Sequence, residues 1–226
     1  MRKLLTSLSL LLVCLIGAGA SATTIAASDD AFVESFFPTL AQGGDTTVTS
    51  SNLSSITPAD ISRIYLKFTM PTFQAGTSVS SASITAFLET GVDFGGLVYG
   101  ISVASSDAWD EGTITWNNQP GIGAATGAIF DPTGVADGSS VIIPGLAAAA
   151  DAAYQGDGVL SLVMFISDES QLLCNLDCPI VVFTSNEGGN GATIDIAVIP
   201  EPSTAALMAF GLAGLAIARR KVAPAR

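Results

Sequence analysis

The sequence predicts an all-β fold, a sandwich of short strands with one short helix. Apolar and β-branched residues recur in short segments separated by Gly, Pro, Asn, Asp and Ser, which is the pattern of all-β domains. Residues 160–166 form a nearly continuous apolar run, as expected for a central strand with both faces covered. Only residues 145–155 have the alanine-rich composition that favours a helix within the body.

Seven segments of the body have strand composition and are bounded by turn-forming residues. They are residues 63–68, 79–88, 97–103, 141–143, 159–166, 180–184 and 193–198. Residues 121–138 are rich in Gly, Asp and Pro and predict a loop. The helix at 145–155 has Pro144 near its start and Gly156 at its end, positions that these residue types favour, and we expect it to cross one end of the sandwich.

The N-terminus predicts a secretory signal peptide over residues 1–22. A basic start precedes an apolar stretch at residues 4–18, which we expect to form the signal helix. Residues 20–22 form a small-x-small cleavage motif, and residues 18–20 offer a second possibility. An uncleaved membrane anchor is the alternative.

The C-terminus predicts a sorting tail over residues 200–226. A Pro-Glu-Pro triplet is followed by an apolar segment at residues 205–218 and then by a basic cluster. These 14 apolar residues are fewer than the roughly 20 that a helix needs to cross a bilayer. The segment is therefore a short transmembrane helix that is either retained as an anchor or recognised and removed.

This tail resembles the PEP-CTERM sorting domain of Gram-negative bacteria over residues 200–221. The resemblance implies processing by an exosortase-type membrane enzyme, with the tail held transiently in the inner membrane. It also implies delivery to the cell surface or extracellular matrix of a Gram-negative bacterium. The residues that the resemblance assigns to the sorting signal are Pro200, Glu201, Pro202, Arg219, Arg220 and Lys221.

Residues 23–199 make one domain of strongly acidic composition. This body has 19 of the 20 acidic residues of the chain and only two basic ones, Arg63 and Lys67, giving a net charge of −17. A nucleic-acid partner is excluded because phosphate contacts need a basic surface. The chain has no histidine, which excludes Ser-His-Asp and Cys-His catalysis and every His-ligated metal site.

The body contains two cysteines, Cys174 and Cys178. In an oxidising compartment an even pair predicts a disulfide, here closing a small ring that pins a hairpin tip. A zinc site is the alternative, but it needs four ligands and no other Cys or His is present in the body.

Residues 109–120 contain both tryptophans of the chain, seven positions apart. Together with the opening strand at residues 30–33, the strands at 63–68 and 79–84, and residues 183–187, this segment resembles the DNRLRE domain, a family of extracellular modules. The resemblance implies a jelly-roll-like antiparallel β-sandwich with glycan binding as an activity, and it does not imply catalysis. The departures from the family pattern are a weak second strand near residues 46–49 and the cysteine insertion. The family-motif residues are Arg63, Trp109, Glu111, Thr115, Trp116, Asn118, Pro120, Ser185 and Glu187.

The motif residues leave chemical alternatives open. Trp109 and Trp116 either stack on sugar rings or pack as framework. Glu111 either accepts hydrogen bonds from backbone N–H groups of its loop or pairs with Arg63. Asp110 and Glu111 form a carboxylate pair of the kind that glycosidases use, but adjacent residues of a strand point to opposite faces and do not flank one bond.

Oxygen ligands for Ca²⁺ are present at residues 29–30, Asp107, Asp110 and residues 168–169, all in expected loops. No EF-hand loop accompanies them, and a solvated acidic surface is the alternative. No cofactor is predicted, Ca²⁺ remains an option, and the residues of any metal site are unknown at this stage.

Three classes of function remain. The first is a surface or matrix protein whose non-catalytic module binds polysaccharide, and this is the function we predict. The second is a structural or adhesive matrix component without a specific ligand. The third, a polysaccharide-degrading enzyme, is disfavoured because the body is one domain without a credible pair of catalytic acids.

Overall fold

The computed structural model of the chain describes residues 20–52, 60–92, 97–167, 169 and 178–200. These residues form an antiparallel, sandwich-like all-β fold with one helix, which confirms the predicted fold class. The predicted signal helix and the apolar tail segment lie outside the described residues. Within the described ranges, no helix has the length and apolar character needed to cross a bilayer.

The described elements follow one another in chain order as β1 (Ser21–Ala26), β2 (Asp29–Glu34), β3 (Thr47–Asn52), β4 (Ile61–Thr69), β5 (Thr77–Val92), β6 (Tyr99–Ala104), β7 (Ile122–Phe130), β8 (Ser139–Pro144), α1 (Ala147–Gln155), β9 (Val159–Ile166), β10 (Ile180–Thr184) and β11 (Thr193–Pro200).

All strand pairs are antiparallel and join into one curled sheet. Its order is β1-β11-β5-β10-β3-β4-β9-β6-β7, and β2 pairs with β4 while β8 pairs with β5. The contact between β3 and β4 is limited to the register pairs Ser51↔Ser62 and Asn52↔Ile61. At this narrow junction the sheet passes from the half built around β5 to the half built around β4 and β9.

The main hydrophobic core lies between these two halves. Along β5 the buried side chains alternate with more exposed ones, and Ile84 and Leu88 are among those that enter the core. Strand β4 contributes Ile64 and Phe68 from one of its faces. Strand β9 is buried along most of its length and pairs with both β4 and β6, which confirms the prediction of a central strand.

Helix α1 agrees closely with its prediction. It begins two residues later than expected and ends at Gln155, directly before Gly156. It packs against β5 and β9, and Leu146, just before the helix, enters the main core together with Ala150 and Tyr154. The helix therefore covers an edge of the gap between the two halves of the sheet.

The prediction of a loop over residues 121–138 is wrong for its first half, where β7 forms. Among the described strands it pairs only with β6, and most of its residues are exposed, so it lacks the apolar alternation of a half-buried strand. Gly127, at φ +82°, adds an irregularity that a bulged edge strand accommodates. The weak second strand near residues 46–49 is a regular strand, β3, whose buried residues include three polar ones.

Strand β1 is exposed and pairs with β11 from Ser21↔Val198 to Ala26↔Thr193. Its first two residues fall inside the predicted signal peptide. Cleavage after Ala20, the second of the two predicted positions, leaves this strand whole, whereas cleavage after Ala22 removes its first two residues.

Candidate functional site

The predicted motif residues of β4 lie on the face of the strand that points away from the main core. Because side chains of a strand alternate between its faces, Arg63, Tyr65 and Lys67 share that outer face while Ile64 and Leu66 face the core. The long β6–β7 loop, residues 105–121, covers this outer face.

A second hydrophobic cluster forms under the loop. Its members come from β2, β4, β6, β9 and the loop itself, and Trp116 and Phe165 pack against it from partly exposed positions. The buried members are Ala31, Val33, Tyr65, Ala104, Trp109, Ile114 and Val163. The loop that carries both tryptophans is therefore fixed on the sheet by burial.

Trp109 is the centre of this cluster and is 8% exposed. Its indole Nε1–H donates to the hydroxyl of Ser161 at 3.2 Å, and its ring meets that of Tyr65 edge-on at 5.8 Å. The ammonium of Lys67 lies 4.4 Å from the ring centroid and donates to the backbone carbonyl of Trp109. Lys67 also pairs with Asp29 at 3.5 Å. A buried ring with all these partners favours the framework interpretation for Trp109.

Trp116 is half-buried and lies beneath the guanidinium of Arg63, whose Cζ is 4.7 Å from the ring centroid. The same guanidinium donates to both carboxylate oxygens of Glu169, at 2.8 and 2.6 Å, and to Gln119 at 3.2 Å. Burial lowers the pKa of Arg63, but the hydrogen bonds and charge of Glu169 outweigh it and raise that pKa. Arg63 thus pairs with Glu169, so the suggested pairing with Glu111 is wrong.

The C-terminal end of the loop is tied to β4 through the hydroxyl of Tyr65. This hydroxyl contacts the side-chain oxygen of Gln119 at 3.0 Å and the carbonyl of Pro120 at 2.6 Å. Burial, as the main cause, raises the pKa of Tyr65 to about 12. Pro120 takes part in this contact through its backbone carbonyl and not through its side chain.

Thr115 and Asn118 close the turn between the tryptophans. The amide oxygen of Asn118 accepts from the backbone N–H of Thr115 at 2.6 Å and from its hydroxyl at 3.1 Å. The amide nitrogen of Asn118 donates to the carbonyl of Thr113 at 3.0 Å. Hydrogen bonds of this kind from an Asn side chain to nearby backbone shape a turn.

Asp30, at the start of β2, is hydrogen-bonded both to Glu111 and to the loop that follows β10. A carboxylate oxygen of Glu111 accepts from the backbone N–H of Asp30 at 3.2 Å, so Glu111 does bind a backbone N–H, but one of β2. Asp30 Oδ2 accepts from the backbone N–H of Asn186 at 2.9 Å. Ser185, the neighbouring motif residue, donates its hydroxyl to the carbonyl of Asp45 at 2.6 Å.

Asp30 is 1% exposed, and its Oδ1 has no hydrogen-bond partner. Burial raises its pKa to about 6, assisted by the negative charges of Glu187, Glu111 and Asp29 and opposed by the hydrogen bond from Asn186. The pKa of Glu111 is raised as well, first by burial. Two motif carboxylates, Glu111 and Glu187, are thus close enough to Asp30 to affect its charge.

The sequence interpretation missed Gln119 and Glu169 as partners of the motif, and it did not identify Asp30 as a junction. One signal was available for the cations. Arg63 and Lys67 are the only basic residues of the body, which has 19 acidic ones, so an ion pair was to be expected for each of them. Their acids come from different parts of the chain, which spacing alone does not reveal.

The carboxylate pair Asp110–Glu111 lies in the β6–β7 loop, so the expectation that the two residues sit on a strand is wrong. Asp110 accepts from the backbone N–H of Gly112 at 3.0 Å, while Glu111 reaches β2. The two carboxylates are engaged by different backbone groups and do not converge on a common space.

Among the residues that the structure describes, no group of three or more Asp, Glu or Cys side chains is arranged to hold a metal ion. Of the suggested Ca²⁺ ligands, Asp29 pairs with Lys67 and Glu169 with Arg63. Asp168 and Cys174 fall outside the described residues. Cys178 is described, but because Cys174 is not, the disulfide Cys174–Cys178 stays a prediction.

Exposed aromatic rings also occur outside the tryptophan loop itself. Phe36 and Phe37, after β2, meet edge-on at 4.8 Å and 87°. Phe73, in the β4–β5 loop, is 45% exposed and borders a cleft of about 340 Å³ with Tyr154 of α1.

In the part of the chain that the structure describes, these features define a class of protein: an antiparallel β-sandwich in which a tryptophan-bearing loop is fixed on an outer sheet face, with exposed aromatic rings elsewhere on the surface. The model of carbohydrate-binding module family 96 matches residues 21–171, about two thirds of the chain. The chain therefore belongs to this family. The DNRLRE-type resemblance stays a prediction.

A second family model, the PEP-CTERM protein-sorting motif, matches residues 198–221. It confirms the sorting tail that the triplet, apolar segment and basic cluster predict. The motif begins inside β11, which ends at Pro200, and continues into residues that the structure does not describe. A search of curated proteins found no match.

Proposed function

We propose that the protein is an exported, exosortase-sorted protein of the cell surface or extracellular matrix whose β-sandwich binds polysaccharide without catalysing a reaction on it. The observation that carries the proposal is the match to carbohydrate-binding module family 96 over residues 21–171. That range includes nine of the described strands and both tryptophans.

The geometry of the motif supports a binding module in which the tryptophans act as framework. Trp109 is buried, and Trp116 packs against the second hydrophobic cluster while Arg63 lies over its ring, so neither ring is freely available to stack on a sugar. Their proposed role is to hold the outer loop on β4 and β9. Contact with the glycan then falls to other exposed aromatic side chains, since aromatic faces stack on the apolar faces of sugar rings.

The arrangement of carboxylates supports the non-catalytic part of the proposal. Asp110 and Glu111 bind separate backbone groups, and Asp30 is buried beneath the surface. A glycosidase needs two carboxyl groups facing one glycosidic bond, about 5–10 Å apart. Asp110 and Glu111 instead accept hydrogen bonds from backbone N–H groups and so hold the loop in position.

Localisation is proposed from the sorting motif at residues 198–221. The proposed route is export through the signal peptide, transient insertion of the tail in the inner membrane of a Gram-negative cell, and processing there by an exosortase-type enzyme; the motif supports the last of these steps. The strongly acidic body suits a protein that stays soluble after processing.

Retention on polysaccharide tests the binding function. The full-length chain, kept soluble with a mild detergent, is run in native gels that contain galactomannan, β-glucan, alginate or polygalacturonate, with and without Ca²⁺. We expect retarded migration in at least one gel and no release of reducing ends on long incubation. An unrelated acidic protein of similar size serves as the control for trapping by the polymer. Migration equal to that control in every gel contradicts polysaccharide binding and leaves the purely structural matrix role, whereas release of reducing ends identifies an enzyme.

A further inference from the structure

The last strand of the fold runs directly into the sorting motif. Strand β11 ends at Pro200, the first residue of the Pro-Glu-Pro triplet, and the matched motif begins two residues earlier, at Val198. Residues 198–200 therefore have two roles, as the end of a strand and as the start of a signal that an enzyme must bind. We call these three residues the end segment of β11.

In the folded chain the end segment is paired with the start of β5. The register pairs are Val198↔Val79, Ile199↔Ser78 and Pro200↔Thr77. The pairing of β11 with β1 ends at Val198, so among the described strands β5 alone holds the last two residues. Proteolytic enzymes act on segments that have opened from the folded structure. The pairing with β5 therefore opposes binding of the triplet by a processing enzyme.

The sequence leaves little room between the sheet and the membrane. Four residues, 201–204, separate Pro200 from the apolar segment that starts at Ala205. A chain advances at most about 3.6 Å per residue, so the Cα of Pro200 lies within about 18 Å of the Cα of Ala205. An enzyme that approaches the triplet from the membrane therefore meets the folded sandwich at once.

The end segment is held less firmly than the rest of β11. The register between β11 and β5 shifts between Ala197 and Val198, as it does at a β-bulge. Before the shift, Ile194 and Ile196 are buried in the main core. After it, the residues are only partly buried or exposed, and Pro200 has no N–H to donate to β5. Because a bulge disrupts the ladder locally, the pairing can open here while the core stays intact.

Resting on the proposed sorting function, we infer that the end segment of β11 is a releasable strand end that controls the processing of the tail. In the closed state it pairs with β5 and holds the triplet against the folded domain. In the open state it separates from β5 at the bulge, and the exosortase-type enzyme binds the freed segment. The rate of processing is then proportional to the fraction of molecules in the open state.

The test fixes the end segment with a disulfide between facing positions of β5 and β11. Ser78→Cys with Ile199→Cys places a cysteine pair beyond the bulge, and Ser81→Cys with Ala197→Cys, the matched control, places one just before it. Both pairs are introduced into the full-length chain after the native cysteines of the body have been replaced by serine. Non-reducing gels show whether each disulfide has formed.

Processing is followed by pulse-chase labelling in a Gram-negative host with an exosortase system, as conversion of the longer chain to the shorter one. We expect the disulfide beyond the bulge to slow this conversion at least about tenfold, because it removes the open state. Addition of dithiothreitol should restore the original rate. The disulfide before the bulge should leave the rate within about twofold of the serine-substituted parent, since the end segment can still open.

A linker variant measures the same effect in the opposite direction. A short Gly-Ser linker between Ile199 and Pro200 frees the triplet whether or not the strand is paired, so processing should become faster. The same linker inserted after Gly134, in the exposed β7–β8 loop, is the control and should leave the rate unchanged. Processing of the first variant at or below the wild-type rate contradicts the inference, even where a disulfide does not form.

The outcomes separate control by the strand end from the sorting function. If the disulfide beyond the bulge forms and processing continues at the parent rate, the end segment does not need to open and the inference is wrong. If both disulfides slow processing equally, the bulge is not the point of separation, which also contradicts it. If the wild-type chain is never processed, the proposed sorting function fails and the inference fails with it.

Discussion

At the residue scale, the two cations of the body share one arrangement. Arg63 pairs with Glu169 and lies over Trp116, and Lys67 pairs with Asp29 and lies over Trp109. A partly buried cation loses hydration, and an acid on one side with an aromatic face on the other compensates for that loss. Each pair also joins β4 to a distant part of the chain, so these residues organise the outer loop.

Asp30 is the residue with the clearest consequence for stability. Its pKa is about 6 in the folded chain, above the ordinary value of 3.8, mainly because burial disfavours the charged form. The folded state therefore holds this proton more tightly than the unfolded state. Asp30 contributes stability that is fully present below about pH 4 and is lost as the pH rises through 6.

We predict that the free energy of unfolding falls by up to about 3 kcal/mol between pH 4 and pH 7 because of Asp30, at 1.36 kcal/mol for each pKa unit. Asp30→Asn, which keeps the side chain neutral and retains an oxygen for the N–H of Asn186, should remove most of this dependence. Urea unfolding at a series of pH values measures it.

Asp45→Asn is the matched control, because Asp45 is exposed in the neighbouring loop. It should keep the pH dependence of the wild-type chain. A pH profile that is the same for Asp30→Asn and the wild type would show that another group, such as Glu111, is responsible.

At the element scale, the β6–β7 loop is fixed by contacts with three strands and with the β2–β3 loop. The N–H of Asn117 donates to the carbonyl of Pro38 at 3.1 Å, and Gly43 lies directly against the backbone of Glu111. A β-carbon at position 43 would overlap the carbonyl group and the Cβ of Glu111. The two loops therefore approach more closely than any residue other than glycine permits at this point.

Gly43→Ala should destabilise the fold by about 1–3 kcal/mol, the usual cost of forcing an extra carbon into a packed contact. Gly44→Ala is the control, because a β-carbon at position 44 has no heavy atom within 4 Å and should change stability by less than about 1 kcal/mol. Denaturant midpoints of the two variants give the comparison. Equal midpoints would mean that the loops separate freely and that their contact is not fixed.

At the scale of the whole molecule, the ranges matched by the two family models do not overlap, although the sorting motif begins within β11, which pairs with β1 and β5 in the sheet. The family match ends at residue 171, and the sorting motif begins at residue 198, in the last strand. Six of the eight basic residues lie in the two predicted targeting ends, so removal of those ends leaves a strongly anionic domain.

Deletion of residues 201–226 tests the sorting function of the C-terminal tail. In a Gram-negative host with an exosortase system, we expect the shortened chain to leave the surface fraction, because the triplet is broken and both the apolar segment and the basic cluster are lost. Cell fractionation followed by immunoblotting measures its distribution. Deletion of residues 222–226 alone leaves the matched motif intact and should not change it. Surface attachment that survives the longer deletion would contradict the sorting function of the tail.

Local patterns were sufficient for much of this architecture. Alternation identified β5, continuous hydrophobicity identified β9, and alanine content with Gly156 identified α1. These patterns did not identify β7. An exposed edge strand is held by backbone hydrogen bonds to its neighbour, and its sequence therefore needs little apolar alternation.

The sequence by itself determined the all-β class, the acidic body, the absence of histidine chemistry and the sorting tail, because these depend on composition and on residues close together in the chain. Only the tertiary structure decided that Arg63 binds Glu169, that Glu111 reaches Asp30, and that Phe73 meets Tyr154 at a cleft. Each of these contacts joins residues 80 or more positions apart. Their partners are set by how the sheet curls and where its loops are brought together, which no local pattern encodes.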